Sequence, residues 1–238
     1  MAGHSKWANI KHKKAKADAK KGKAFSKATK EIINAVKQGG PDPDANPKLR
    51  VAIDKAKAVN LPNDNIERNI KKASSTDTGG YDEITYELYG HDGVGIIVEA
   101  MTDNKNRTAS DLRIATNKRG GSIAQPGAVS FNFDRVGIIS IEKDATTEDD
   151  LFLSATDAGA QDIESNEEGH VVTTPPEDLF KVKAALEEMG IPCDDVSLEM
   201  VPKTLAPCDE EAKEKNLALI EWLEEIDDVD EVYHNMEM

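Results

Sequence analysis

The 238-residue chain predicts an α+β multidomain fold: a helical N-terminal domain plus two ferredoxin-like α+β domains, one inserted in the other. Three observations lead to this fold class. Apolar residues recur with a helical period through residues 22–75. From Asp82 the period changes to two, which is typical of strands. Residues 136–201 then follow the order βαββαβ, which is that of the ferredoxin-like unit.

Residues 1–80 are predicted to form a basic arm followed by a domain of three helices. The first helix occupies residues 22–39 and ends at Gly39-Gly40-Pro41. Asn46-Pro47 begins the second helix, with Asn as the cap and Pro in the first turn. Pro62-Asn63-Asp64 begins the third, and the composition of residues 74–80 is that of a linker.

The rest of the chain divides by a count of its elements. Residues 81–134 contain a hairpin, a helix over residues 106–119 and a strand around residues 129–133, so they lack a second helix and a closing strand. The C-terminal helix and strand could supply both. We therefore predict a discontinuous α+β domain of residues 81–134 with 205–238, interrupted by an inserted ferredoxin-like domain of residues 135–204. The alternative is three sequential units, with the C-terminal helix packed elsewhere.

Charge is distributed unevenly along the chain. The formal net charge is −15. Residues 1–72 contain 18 lysines and arginines against 7 acids, a balance of +11, whereas residues 73–238 contain 12 against 38, a balance of −26. Such asymmetry indicates a segment that binds polyanions attached to an acidic body.

Several functional classes are not supported by the sequence. The chain contains no apolar run near the roughly 20 residues that a membrane helix needs, and no nucleotide-binding, hydrolase or metalloprotease motif. Cys193 and Cys208 are predicted to be reduced thiols of a cytoplasmic protein. The five histidines are scattered. We therefore expect a cytoplasmic monomer that is not an enzyme, contains no catalytic residues, metal or cofactor, and does not contact a membrane.

The N-terminal arm is the first candidate nucleic-acid-binding segment. Closely spaced lysines let several ammonium groups reach one phosphate backbone. Trp7 could stack on bases or pack on the helical domain. The candidate residues of the arm are His4, Lys6, Trp7, Lys11, His12, Lys13, Lys14, Lys16, Lys20, Lys21 and Lys23.

A second candidate lies in the stretch "MTDNKNRTASDLRIATNKRGGS", residues 101–122, which interrupts the acidic body. Residues 102–104 would cap the helix and leave backbone N–H groups beside basic side chains, which is a plausible anion site. The alternative is an ordinary basic helix that balances nearby acids. The candidate nucleic-acid-binding residues here are Lys105, Arg107, Arg113, Lys118 and Arg119.

Three long motifs carry a resemblance to a known family: "MAGHSKWANIKHKKAKADAKKGKAFSK", "GGPDPDANPKLRVAIDKAKAVNLPNDNIERNIKK" and "MTDNKNRTASDLR". The chain resembles the YebC family, which includes the mitochondrial translational activator of cytochrome oxidase. The resemblance implies a three-domain, cytoplasmic, non-enzymatic protein described as a DNA-binding transcriptional regulator. Other members act in translation on the ribosome, in relief of stalling at proline-rich stretches. The positions carried over from the matching motifs are the aromatic Trp7 and the basic residues His4, Lys6, Lys11, His12, Lys13, Lys14, Lys16, Lys105, Arg107 and Arg113.

Three function hypotheses remain at this point: a transcriptional regulator that contacts DNA, a translation factor that contacts ribosomal RNA, and an interaction module whose acidic face docks a basic partner. The helices contain no compact set of Arg, Asn and Gln aimed at a major groove. A basic arm is expected to contact phosphates without reading sequence, which favours RNA. The resemblance favours DNA.

Overall fold

The computed structural model describes residues 21–75, 80–167, 169–193 and 195–238. Their contacts separate two compact units. One contains Ser130–Leu205 with Glu237–Met238, and the other contains the described residues up to Val129 together with Ala206–Met236. The buried apolar residues form three clusters, in the helical region, in the first sheet and in the second sheet. The division into three domains with the predicted boundaries stays a prediction.

The helical region consists of α1 (Lys21–Gly39), α2 (Pro47–Ala58) and α3 (Asn63–Ser74), in agreement with the predicted starts. Asn46 joins the first two helices. Its Oδ1 accepts a hydrogen bond from the Leu49 N–H at 3.1 Å, as expected of a cap. Its Nδ2 donates to the carbonyl oxygens of Ala35 at 2.8 Å and Gly40 at 2.9 Å. Because Asn46 is buried, these bonds set the angle at which α2 leaves α1.

The first sheet contains β1 (Asp82–Tyr89), β2 (Gly95–Thr102), β3 (Ser122–Ile123) and β8 (Val229–His234), in the antiparallel order β3-β1-β2-β8. Helices α4 (Lys105–Arg119) and α7 (Glu210–Glu225) supply the side chains that cover its apolar face. Val98 of β2 pairs with Val232 of β8. The C-terminal strand thus belongs to the same sheet as the predicted hairpin.

The prediction of a strand around residues 129–133 is wrong. Residues 130–132 form a 3₁₀ turn in which Phe131 is 71% exposed, and Phe133 begins a strand of the other sheet. The third strand of the first sheet is instead Ser122–Ile123, directly after α4. Gly121 permits this pairing, because a Cβ there would lie 2.9 Å from the Tyr89 carbonyl oxygen. Val129 is buried as a loop residue against Gly95, where the absence of a side chain leaves room.

The second sheet contains β4 (Phe133–Glu142), β5 (Asp162–Ser165), β6 (Gly169–Thr174) and β7 (Asp195–Pro202), in the antiparallel order β5-β6-β4-β7. Helices α5 (Glu148–Ala158) and α6 (Leu179–Glu188) pack on it. This connectivity is the βαββαβ order predicted from the sequence. The fold class, a helical N-terminal region followed by α+β domains, is confirmed.

Candidate nucleic-acid interface

Most of the arm candidates lie outside the described residues. These are His4, Lys6, Trp7, Lys11, His12, Lys13, Lys14, Lys16 and Lys20. Helix α1 begins at Lys21. Their assignment to nucleic-acid binding therefore stays a prediction.

Helix α4 begins at a cap that holds its first basic side chain against an acid. Asn104 Oδ1 accepts a hydrogen bond from the Arg107 N–H at 3.1 Å. The Arg107 guanidinium donates to Asp228 through Nε at 3.0 Å and Nη2 at 2.7 Å. Thr108 Oγ1 donates to the same carboxylate at 2.8 Å. Asp228 is only 4% exposed, so these bonds satisfy a buried charge.

The pKa values at this contact follow from its geometry. Burial alone would raise the pKa of Asp228, but hydrogen bonds from Arg107, Thr108 and Thr102 hold it below its ordinary value. The hydrogen bonds from Arg107 to Asp228, together with the one to Asp103, raise the pKa of Arg107. Both groups are charged at neutral pH. The carboxylates leave Arg107 only partly available to an added anion, although its side chain is 48% exposed.

The other basic residues of α4 have different surroundings. Lys105 forms an exposed ion pair with Asp82 at 3.3 Å. The Arg119 guanidinium lies 5.3 Å from the ring centroid of Trp222 on α7, a cation–π distance. Arg113 and Lys118 are exposed. The start of α4 thus matches the alternative of a basic helix balanced by acids, while Arg113 and Lys118 offer charge to solvent.

Sequence reasoning missed a row of lysines on α1 that contacts the C-terminal segment. Lys23 Nζ donates to the carbonyl oxygens of Glu224 and Ile226, the latter at 2.9 Å. Lys27 Nζ lies 2.6 Å from Glu231 Oε1. Lys23, an arm candidate, is therefore engaged by backbone oxygens at the end of α7.

Lys30 completes this row, one helical turn after Lys27. Its Nζ donates to the carbonyl oxygens of Asp227 at 2.7 Å and Met101 at 3.0 Å, and lies 3.9 Å from Asp228 Oδ1. The spacing i, i+4, i+7 of Lys23, Lys27 and Lys30 places them on one side of α1. That spacing is the only signal in the sequence, because most of the partners lie about 200 positions away and Met101 lies 71 positions away.

Two ionisable groups at this contact have shifted pKa values. Burial alone would lower the pKa of Lys27, but Glu231, Asp230 and Glu31 raise it above its ordinary value. Burial raises the pKa of Asp230 to about 6, against the opposing effect of Lys27 and Lys30. Acidic and basic side chains are therefore balanced here only in part.

Two other features are absent from the described ranges. No group of three or more His, Cys, Asp or Glu residues there could hold a metal ion. None of the helices in that part of the chain is long and apolar enough to cross a membrane.

The family model for the TACO1/YebC N-terminal domain matches residues 5–76, and the model for the TACO1/YebC second and third domain matches residues 81–236. This chain belongs to the YebC family. The two matches include both candidate segments of this YebC-family protein, with His4 alone outside them. The resemblance of its long basic motifs to the family is thereby confirmed.

Relatives of this YebC-family protein match along its whole length. A Protochlamydia amoebophila protein named "probable transcriptional regulatory protein" is 60% identical over 238 residues, which cover 100% of this chain and 97% of the relative. A Chlamydia muridarum protein with the same description is 59% identical, over 99% and 100% of the two chains. The crystal structure of a conserved hypothetical protein from Aquifex aeolicus is 44% identical, with a TM-score of 0.83 over 97% of this chain and 96% of that one.

Proposed function

We propose that this YebC-family protein is a transcriptional regulator that binds DNA through its basic N-terminal region, without catalysing a reaction. The observation that carries the proposal is the charge polarity, +11 over residues 1–72 against −26 over the rest of the chain. The printed names of the chlamydial relatives support the regulatory part. We further infer that the protein acts in the cytoplasm as a monomer.

The distribution of contacts supports an oriented encounter with nucleic acid. The lysine row of α1 is bound to the C-terminal segment. Part of the positive charge of the helical region therefore holds this region in place. Exposed charge remains on Arg113 and Lys118 of α4. The acidic remainder of the chain repels a polyanion, which leaves the N-terminal region as the end that approaches it.

The composition of the arm also favours a second candidate, a translation factor that binds ribosomal RNA on the ribosome. Residues 1–23 contain lysine but no arginine. Lysine contacts phosphate as a point charge, whereas arginine presents the planar fork that reads guanine bidentately. Binding through the arm is therefore expected to depend little on sequence, which suits a folded RNA as well as DNA.

The test replaces Lys11, Lys13, Lys14 and Lys16 with Ala and measures affinity for DNA and for ribosomes across a salt series. Each lost phosphate contact should flatten the slope of log K against log salt by about 0.7–0.9. The loss of affinity should be similar for all sequences. The control removes the same charge from exposed lysines of the helical region: Lys37, Lys48, Lys57 and Lys71.

The two candidate functions differ in which ligand, DNA or the ribosome, stays bound as the salt concentration rises. Tight binding to one promoter fragment, without ribosome binding, supports the transcriptional regulator. Arm-dependent ribosome binding that persists after DNA binding is lost supports the translation factor. A slope unchanged by the arm substitutions, or changed equally by the control, rejects the arm as the contact.

A further inference from the structure

A groove of about 330 Å³ lies between α4 and the end of α7. Ile114 and Trp222 line it with apolar surface, and Ile114 is half exposed. Asp111, Glu225 and Asp227 supply carboxylates to the same lining. Apolar walls beside unshielded acids are the surroundings that a lysine side chain fits, because its stem is apolar and its end is charged.

The carboxylates of this groove are not neutralised by their surroundings. Within the part of the chain that the structure describes, the side chains of Asp111, Glu225 and Asp227 have neither a hydrogen-bond nor an ion-pair partner. Arg107 also lines the groove, but its guanidinium is bound to Asp228 and Asp103. The groove therefore carries an excess of negative charge beside apolar surface.

The start of α1 lies beside this groove. Lys23, in the first turn of α1, donates to the carbonyl oxygen of Ile226, and Ile226 is itself a lining residue. The chain that precedes Lys21 therefore joins α1 close to the groove. That stretch, residues 10–20, contains Lys11, Lys13, Lys14, Lys16 and Lys20 against the single acid Asp18. Ten residues span at most about 33–36 Å, so the tether keeps these lysines within reach.

We propose that the lysine-rich stretch of residues 10–20 binds the groove between α4 and α7 when no nucleic acid is present. Lysine stems pack on Trp222 and Ile114, and the ammonium groups pair with Glu225 and Asp227. The tether makes this an intramolecular contact, whose effective concentration is in the millimolar range for a short connection. Occupation of the groove then requires an intrinsic dissociation constant no weaker than about the millimolar range, to which the ion pairs and the packed lysine stems contribute together.

One consequence rests on the proposed function. If the same lysines contact nucleic acid, the groove and the polyanion compete for them. The acidic groove then lowers the affinity for every polyanion that needs these lysines, by the same factor for weak and tight ligands. The occupation of the groove itself is independent of that function, and it is measured with no nucleic acid in the sample.

The first experiment uses the full-length chain with Trp7→Phe, in which Trp222 is the only tryptophan. Acrylamide quenching of Trp222 fluorescence reports how far the groove is covered. We expect protection at low salt, and loss of that protection at molar salt, where the ion pairs are screened. Adding Glu225→Gln and Asp227→Asn should abolish the protection at low salt.

The matched control adds Asp157→Asn and Glu188→Gln instead. Both are exposed carboxylates of the other unit, so the net charge changes equally. This control should keep the protection of Trp222. Equal quenching of the parent, groove and control chains at low salt overturns the proposal, and so does a loss of protection in the control.

The second experiment identifies the occupant in the unsubstituted full-length chain. A carbodiimide joins carboxylates to lysines that touch them, and peptide mass spectrometry locates the links. We expect links from the lysines of residues 10–20 to Glu225 and Asp227. A mixture of isotope-labelled and unlabelled chains should yield these links only within one chain. Links between chains assign the groove to a second copy, and arm links confined to other carboxylates reject the groove; either result overturns the proposal.

Discussion

Asp228 connects the start of α4 to the C-terminal segment that leads into β8. Its carboxylate accepts hydrogen bonds from Arg107 and Thr108 and lies 3.9 Å from Lys30 Nζ. A buried acceptor with charged donors contributes more than a neutral one, and its removal leaves the donors unpaired. Asp228 therefore ties together α4, α1 and the entry to β8.

Replacing Asp228 with Ala should lower the free energy of unfolding by about 1.5–3 kcal/mol, because Thr108 loses its buried acceptor and Arg107 its bidentate partner. Urea unfolding followed by circular dichroism measures this. The control is Asp103→Ala, which removes the other, exposed partner of Arg107 and should cost less than about 1 kcal/mol. Equal losses for the two variants would contradict a special role for Asp228.

Asp230 should destabilise the fold at neutral pH. Burial raises its pKa from 3.8 to about 6, with Glu31 and Glu231 acting in the same direction and Lys27 and Lys30 against it. The folded state therefore binds a proton more tightly than the unfolded chain does, so this carboxyl favours folding more as the pH falls from about 6 to 3.8.

Replacing Asp230 with Asn should raise the free energy of unfolding at neutral pH by on the order of 1 kcal/mol. The advantage over the parent chain should shrink as the pH falls through about 6. Urea unfolding across this range measures the difference. The exposed Asp157→Asn is the matched change of charge, for which no such gain is expected. An Asp230→Asn chain less stable than its parent at neutral pH would show that the carboxylate attracts the lysine row more than burial penalises it.

At the scale of elements, substitutions of Asn46 can separate its role as the cap of α2 from its role in joining α2 to α1. An aspartate is as good a helix cap as an asparagine, so Asn46→Asp keeps the bond to the Leu49 N–H. It also loses both donors to the Ala35 and Gly40 carbonyls and places negative charge beside these oxygens. Asn46→Asp and Asn46→Ala should therefore both lower the free energy of unfolding by about 1–3 kcal/mol.

The control for this junction is Asn104→Asp at the start of α4. Asn104 is exposed and its side-chain oxygen accepts a bond from the Arg107 N–H, a role that an aspartate keeps, so the substitution should change stability by less than about 0.5 kcal/mol. Urea unfolding of the Asn46 and Asn104 variants provides the comparison. An Asn46→Asp chain as stable as the parent would mean that only the cap at α2 matters.

The elements also show which features can be predicted from sequence. The starts of α2 and α4 depend on cap residues a few positions away, and the patterns there predict them correctly. The alternation of Val129, Phe131 and Phe133 is also a local pattern, but the strand that it predicts is wrong. Val129 is buried because Gly95 leaves space for it, a contact that no local pattern contains. The lysine row of α1 is hidden for the same reason, since most of its acidic and carbonyl partners lie near the C-terminal end of the chain.

At the scale of the whole molecule, different regions of the chain carry opposite net charge. Residues 130–205, which form most of one unit, contain 5 lysines and arginines against 18 acids, a net charge of −13. None of the residues predicted to bind nucleic acid lies between Ser130 and Leu205. The acids of this region are therefore expected to act on a polyanion through their electrostatic field and not through direct contact. Such an effect differs from that of the arm in its dependence on salt.

Neutralising four exposed acids of this unit should raise nucleic-acid affinity at low salt, equally for all sequences. The substitutions are Asp144→Asn, Asp157→Asn, Glu177→Gln and Glu188→Gln. Because the field is screened over about 10 Å at 0.1 M salt, the gain should vanish as salt rises further. The number of phosphate contacts is unchanged, so the slope at high salt should equal that of the parent. Fluorescence anisotropy with labelled DNA and RNA measures both. A gain that persists in high salt, with a changed slope, would mean that this unit touches the nucleic acid directly.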